Sequence, residues 1–248
     1  MTDPIEQLAS RVHDGIRITV MTGAGVSAAS GVPTFRGSGG LWNNMSAQDL
    51  ATPEAFRRNP GKVWEWYNWR REQIARCRPN AAHEVLAAWS LRYSGFTMIT
   101  QNVDGLHEKA GSRNVLRYHG SIWEVSCWKR CASSPERWLD ESVPFPEIPP
   151  KCPYCGELVR PGVVWFGEGI DPGIMDRSEA ACECDLFLTI GTSAQVYPAA
   201  GLIRLSARHG AFTVEINPEE TPSTDDVDLS IRGPAETVLA EVEARIMN

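Results

Sequence analysis

The chain has 248 residues, 42% of them hydrophobic and 22% charged, and its 31 acidic against 24 basic side chains leave a formal charge of −7. That composition fits a soluble globular protein and excludes wholesale disorder, and the negative balance excludes a general electrostatic pull on nucleic acid or anionic lipid. No apolar run approaches membrane-spanning length, and the first apolar stretch is too short and too late for a secretory signal, so the cytoplasm is the expected compartment.

In chain order, short β-branched runs alternate with helix-like stretches. Strands are expected at Ile16–Thr22, Phe96–Thr100, Val115–Tyr118, Asp185–Ile190, Ala211–Ile216 and Val227–Ile231. Helices are expected at Ala81–Arg92, Gly105–Ala110, Met175–Cys182, Ala199–His209 and Pro234–Met247. This alternation predicts an α/β fold, a Rossmann-like parallel sheet with helices on both faces. Two segments break it. Leu50–Arg78 is rich in Trp and Arg and predicts an excursion of helices, while Cys127–Cys155 is rich in Pro and Cys and leaves little room for regular structure. Both read as insertions into one unit, 1–248. Its large domain draws on about 10–36, 79–126 and 158–248, and its small domain joins a helical insert, about 37–78, to a cysteine-bearing insert, about 127–157.

The first strand runs into Gly23-Ala24-Gly25-Val26-Ser27-Ala28, a G-x-G-x-x-A turn in which glycines let a backbone approach a pyrophosphate at a helix N-terminus. Alone, such a turn is as readily an ordinary strand-to-helix connection. A dehydrogenase also wants an acidic residue about 20 positions on. Here Gly39–Asn44 holds none and Asp49 is the next carboxylate, so hydride transfer is disfavoured. The second strand delivers Gln101-Asn102-Val103-Asp104-Gly105-Leu106-His107 to the same carboxyl edge, and the third delivers Tyr118-His119-Gly120-Ser121. Taken singly, His83, His107 and His119 read as surface or capping histidines. Two consecutive strands bringing polar clusters to one edge read as a ligand crevice.

Of the seven cysteines, Cys77, Cys182 and Cys184 are scattered and read as small buried hydrophobes. The other four form close pairs, Cys127-x3-Cys131 and Cys152-x2-Cys155, with 20 residues between the pairs. Thiolate pairs at this spacing are a strong Zn2+ signal, and a site closed by four sulfurs has no position for a reacting water, so the zinc is expected to be structural. The alternatives are a redox pair and a ribbon gripping nucleic acid. Only Lys129, Arg130 and Lys151 flank the cysteines, a thin footprint for phosphate.

Together these strings resemble the sirtuin family. GAGVSAASGVPTFRGSGGLW is similar to the family's NAD-binding signature, QNVDGLH and the following HG to its catalytic motifs, and the likeness spans about residues 15 to 245. The resemblance implies an NAD-dependent protein-lysine deacylase that transfers the acyl group from lysine to ADP-ribose and releases nicotinamide, with NAD as co-substrate and a structural Zn2+ on Cys127, Cys131, Cys152 and Cys155. It also implies roles. Gly23, Ala24, Gly25 and Ser27 line the cofactor, Phe35 and Arg36 lie on a segment closing over it, and Trp42 follows on the same string. Gln101, Asn102 and Val103 meet the ribose side and Asp104 holds the nicotinamide carboxamide. The turn Gly191-Thr192-Ser193 meets phosphate and ribose, Asn217 with Pro218 and Glu219 the adenosine ribose, and Ala235 the adenine. His119 is implied as general base, with Asn102 as its catalytic companion. Where many of the family have x2 in the first cysteine pair, this chain has x3.

The segment Arg160–Glu168, with Val163 and Phe166, is similar to the one along which a substrate peptide adds itself as a strand, opposite Ala194–Tyr197. That mode reads backbone, so acyl-lysines on diverse proteins are the expected substrates, with no nucleic-acid or membrane partner. Tyr67 and Arg70 share a helix face by their spacing; by pattern alone they belong to an amphipathic helix with tryptophans inward and arginines solvated. Sirtuins preferring succinyl-, malonyl- or glutaryl-lysine carry Tyr-x-x-Arg here, after a segment like Ala47–Phe56, so the resemblance implies succinyl and malonyl over acetyl. Two rival readings are an NAD-dependent protein ADP-ribosyltransferase on the same site and an NAD or zinc-ribbon binding module without turnover.

Overall fold

A computed structural model describes residues 3–35 and 46–247. The chain opens with α1 (Pro4–Ala9), enters β1 (Arg17–Thr22), and passes through a 3-10 helix at Ala24–Ser30. The helical insert supplies α2 (Ala47–Leu50), α3 (Pro53–Arg58) and the 17-residue α4 (Pro60–Arg76). Next come α5 (Ala81–Arg92), β2 (Gly95–Thr100), α6 (Leu106–Lys109) and β3 (Leu116–Arg117), then β4 (Gly120–Cys127), β5 (Trp138–Leu139) and β6 (Val159–Val163). The chain closes with α7 (Pro172–Ala180), β7 (Leu186–Ile190), α8 (Leu202–Arg208), β8 (Phe212–Asn217), β9 (Leu229–Arg232) and α9 (Ala235–Ile246).

The main sheet has six strands in the order β3-β2-β1-β7-β8-β9, and every pair is parallel. Read in chain order, this is the doubly wound arrangement, with the order reversing between β1 and β7. Both faces are covered, as an all-parallel sheet requires. In β1 and β7, Ile18, Val20, Leu186, Leu188 and Ile190 join one core with residues of α1, α5 and α9. Met21 and Phe187 point the other way, into a core with Tyr118, Leu202 and Ile203. That alternation is the period-2 pleat of a strand buried on both sides. Among the described residues no helix is long and apolar enough to cross a membrane.

The second sheet is small and antiparallel, in the order β5-β4-β6. Its strands pack on the inserts: Ile122, Val125, Val159 and Val163 share one core with Trp64, Phe56, Phe145, Cys127 and Cys152. Strand β6 hides from propensity because it carries Pro161 and Gly162; Pro is tolerated there because β6 is an edge strand. The alternative of an amphipathic α4 with solvated arginines does not hold: Arg70 and Arg71 are buried, and it is Trp69 that reaches solvent. The helix is capped at its start: Pro60 occupies the first turn, and the Asn59 side chain accepts from the Lys62 N–H at 3.0 Å.

Candidate active site

The turns after β1 and β7 meet at the switch point. Gly23 N–H donates to Ile190 O at 3.0 Å, Gly25 N–H to Gly191 O at 2.8 Å, and Gly191 N–H to Ile216 O at 2.9 Å. A Cβ on Gly23 or Gly25 would stand 2.8 Å from the Gly191 backbone, and one on Gly191, whose φ is +60°, would collide with Val26 N. These glycines are thus required by the approach of two turns to each other. Backbone-to-backbone contact by itself requires glycine at these positions, and the expected α-helix start is a seven-residue 3-10 helix.

Beneath this turn lies a buried polar network. Asp104, 5% exposed, accepts from Ser27 Oγ at 2.8 Å and from Leu106 N–H at 2.9 Å. Burial lifts its pKa above the ordinary carboxylate value, against these two donors. Asn102 Nδ2 donates to Gly23 O at 3.0 Å and lies 3.3 Å from Ser27 Oγ, and Gln101 Nε2 donates to Thr192 Oγ1 at 3.0 Å. Three strand ends are thereby tied together through side chains that the sequence had singled out.

His119 is half-buried. Its Nδ1 lies 3.1 Å from Gln101 O, and since a carbonyl only accepts, Nδ1 carries the proton and Nε2 is left as the basic nitrogen. Burial lowers its pKa below the usual histidine value, with the Gln101 carbonyl partly offsetting the shift, so the ring is neutral at neutral pH. Tyr118 N–H donates to Thr100 O at 2.8 Å and Val164 N–H to His119 O at 2.9 Å. The imidazole is therefore held between β2 and the loop after β6.

That loop also contacts the helical insert. Val163 is buried in β6, Phe166 is 42% exposed, and the Phe166 N–H docks on Ala51 O at 3.0 Å. Trp165 Nε1 donates to the Tyr67 hydroxyl at 3.0 Å. Tyr67 is 2% exposed and its pKa is pushed up to about 12, chiefly by burial, so it stays a phenol with its own proton to donate. The Arg70 guanidinium lies 4.8 Å from the Phe35 ring and 5.1 Å from that of Trp66. Burial lowers its pKa, and the charges that oppose this belong to Tyr67 and Asp104. Among the described residues no carboxylate lies within ion-pair distance of Arg70.

At the far side of the sheet edge, Thr192 is buried and Ser193 half-buried, and Asn217 Nδ2 donates to Glu219 O at 2.8 Å. Pro218 and Glu219 are exposed, and Ala235 is buried at the start of α9. Arg36 and Trp42 lie outside the described residues. The network also takes in two further histidines, His83, which no motif placed here, and His107, the last residue of QNVDGLH. His83 Nε2 is 3.3 Å from Ser27 Oγ, and His107 Nε2 is 2.9 Å from Thr22 Oγ1, which donates to Thr100 Oγ1 at 2.8 Å. Trp165 was within a quoted motif, but nothing in the sequence joined it to Tyr67.

The four cysteines do converge. Their sulfurs lie within 4.8 Å of one another, with Cys127 to Cys155 at 3.6 Å and Cys131 to Cys152 at 3.9 Å. A tetrahedron with Zn–S bonds of about 2.3 Å has edges of about 3.8 Å, so the donor set fits a structural zinc. The extra residue of the first pair is absorbed at Arg130, whose φ is +49° and whose N–H donates to Cys127 O at 3.0 Å.

A buried carboxylate and a neutral imidazole at the carboxyl edge of a doubly wound sheet mark the ligand crevice of an α/β protein. Comparison with known proteins says which: the Sir2 family profile matches residues 23–198, and the chain belongs to the Sir2 family. An NAD-dependent protein deacylase of Aquifex aeolicus is 48% identical over 230 residues, covering 92% of this chain and 95% of the relative. A solved Sir2 homolog–NAD complex matches with a TM-score of 0.87 at 43% identity, covering all of this chain and 94% of the other. A mutant Sir2 homologue bound to 2′-O-acetyl ADP-ribose matches with the same TM-score of 0.87 at 43% identity, covering all of this chain and 97% of its own.

Proposed function

We propose that this chain is an NAD-dependent protein-lysine deacylase that transfers the acyl group from lysine to ADP-ribose, releases nicotinamide, and prefers succinyl and malonyl over acetyl. The activity rests on family membership together with Asp104 and His119 at one sheet edge. The acyl preference rests on one observation: Arg70 is a buried cation between aromatic rings, with no carboxylate in ion-pair range among the described residues. A buried charge is costly until it is paired. A succinyl or malonyl carboxylate supplies the pair, with the Tyr67 proton as a second donor.

NAD supplies nicotinamide as a leaving group and an electrophilic ribose carbon. Asp104 accepts from the carboxamide N–H groups, held ready by Ser27 and Leu106. His119 Nε2 would take the proton from a ribose hydroxyl, whose oxygen would bond to the acyl carbon as the bond from that carbon to the lysine nitrogen breaks and free lysine leaves; a positioned base of this kind contributes about 10²–10⁴-fold. Phe35, beside Arg70, screens the reacting end from water. The peptide lies between the loop at Val163–Phe166 and that at 194–197, adding as a strand. Incubation with NAD and an acyl-lysine peptide tests the activity by mass: loss of the acyl group with formation of O-acyl-ADP-ribose supports it. Gain of ADP-ribose by protein makes the chain a transferase, and no change makes it a binding module.

A further inference from the structure

We propose that Arg71 is a positioning residue for acyl selection, fixing α4 against the cysteine-bearing body so that the neighbouring Tyr67 and Arg70 keep their places in the acyl pocket. The proposal rests on the reading that Arg70 faces the acyl group, and it begins from how α4 is held. Trp64 Nε1 donates to Val159 O at 2.8 Å, Tyr67 Oη accepts from Trp165 Nε1 at 3.0 Å, and Asn68 Oδ1 accepts from Phe145 N–H at 2.8 Å. Arg71 Nε donates to Ile122 O at 2.7 Å, and its Nη1 reaches Asp140 Oδ1 at 3.2 Å and Ser142 O at 3.4 Å. Positions 64, 67, 68 and 71 form one helical stripe at i, i+3, i+4 and i+7.

Apart from Trp165, which follows β6, the partners of that stripe lie beside or between the cysteine pairs. Ile122 is in the strand leading to Cys127, Val159 is in the strand after Cys155, and Asp140, Ser142 and Phe145 lie between Cys131 and Cys152. Asp140 Oδ1 also accepts from Ser142 N–H at 2.9 Å, so the oxygen that takes Arg71 shapes the loop as well. The Phe145 ring lies 4.4 Å from the guanidinium, whose side chain is fully buried. An apolar residue would fill this space at lower cost, whereas this guanidinium, with Nη2 left unpartnered among the described residues, favours the arrangement in which Nε and Nη1 keep Ile122, Asp140 and Ser142. Arg71 therefore specifies the rotation and height of α4. Arg70 is the next residue on the helix, and a displacement of about 1 Å at a binding group costs up to about 10² in rate.

The test compares Arg71→Met, Arg71→Lys and Asp140→Asn with the wild type on succinyl and acetyl versions of one peptide, reading kcat/KM for each, KM for NAD, and Tm. The expected result is a fall of about tenfold in the succinyl-to-acetyl ratio for Arg71→Met, a smaller fall for Asp140→Asn, partial rescue by lysine, and an unchanged KM for NAD. An unchanged ratio with a lowered Tm reduces Arg71 to a structural strut and overturns the proposal, as does equal loss on both peptides. If Arg71→Met does not fold, Asp140→Asn decides, since that carboxylate is partly exposed and its replacement keeps the shape. A wild type without acyl preference sinks the acidic-acyl reading alone. The Arg71 proposal is then read from KM for the acyl peptide, which must rise while KM for NAD does not.

Discussion

Trp165 Nε1 donates to the Tyr67 hydroxyl at 3.0 Å, and this bond ties the loop after β6 to the helix that carries Arg70. Both residues are at most 2% exposed. Tyr67→Phe leaves the indole N–H buried without an acceptor, a loss of about 1–3 kcal/mol. The expected outcome is a lower urea midpoint together with a desuccinylation rate reduced by less than the Arg70 change below, because only one neutral donor is lost. Equilibrium unfolding and kcat/KM on the same preparation check both.

His119→Ala is expected to lower turnover by at least about 10²-fold while leaving the fold intact, since it removes the base and little else. The pH profile carries a further sign. Burial holds the His119 pKa below the ordinary histidine value, so the neutral base persists as pH falls, and the acid limb of kcat/KM should lie below about pH 6.5. A limb centred above that value, or turnover within tenfold of wild type in the alanine variant, removes His119 from the role.

Two other histidines bear on stability. His83 and His107 have rings 4.8 Å apart, and burial lowers their pKa values to about 3 and about 4, with mutual repulsion adding to the shift of His83. The folded values lie below the unfolded value of about 6.5, so between them the unfolded chain binds more protons. Their contribution is present above about pH 6.5 and is lost as pH falls toward 4 and then 3, an effect on the order of a few kcal/mol. Urea midpoints measured from pH 7 to pH 4.5 should drop steeply in the wild type and less steeply in His107→Asn. Parallel slopes would show that His107 is not held neutral by the fold.

Cys152 is 2% exposed among the four convergent sulfurs. Removing the metal with a chelator, or replacing Cys152 with Ser, should lower Tm by about 10 °C, the shift that roughly 3–5 kcal/mol makes in a chain of this length. Freshly purified protein should carry one zinc per chain by elemental analysis. Protein free of zinc, with an unchanged Tm in Cys152→Ser, would contradict a structural metal.

The parallel sheet was legible because its strands are apolar runs bounded by turns, and Ala81–Arg92 was legible to the residue because Asn80 caps it and a Pro precedes the cap. The edge cluster at Asp104 and His119 was legible because two motifs end consecutive strands. What stayed hidden depends on contacts between distant segments. Strand β4 has no turn signal separating it from the HG motif, and β6 contains Pro and Gly. Arg71 reads as a solvated helix charge until Ile122, Asp140 and Ser142 are brought to it. The approach of Gly191 to Gly23 and Gly25 was also hidden, since it joins turns far apart in the chain.

The most direct test of the account is the pair of kcat/KM values for succinyl and acetyl versions of one lysine peptide, with NAD, on the wild type and on Arg70→Met. Breaking a desolvated charge pair costs about 2–5 kcal/mol, or roughly 30- to several-thousand-fold. The wild type should favour the succinyl peptide, and Arg70→Met should lose at least about 30-fold on it while deacetylation changes little or rises. Equal loss on both peptides would make Arg70 a structural residue and contradict the acidic-acyl reading. Absence of NAD-dependent release of either acyl group from the wild type would contradict the deacylase itself.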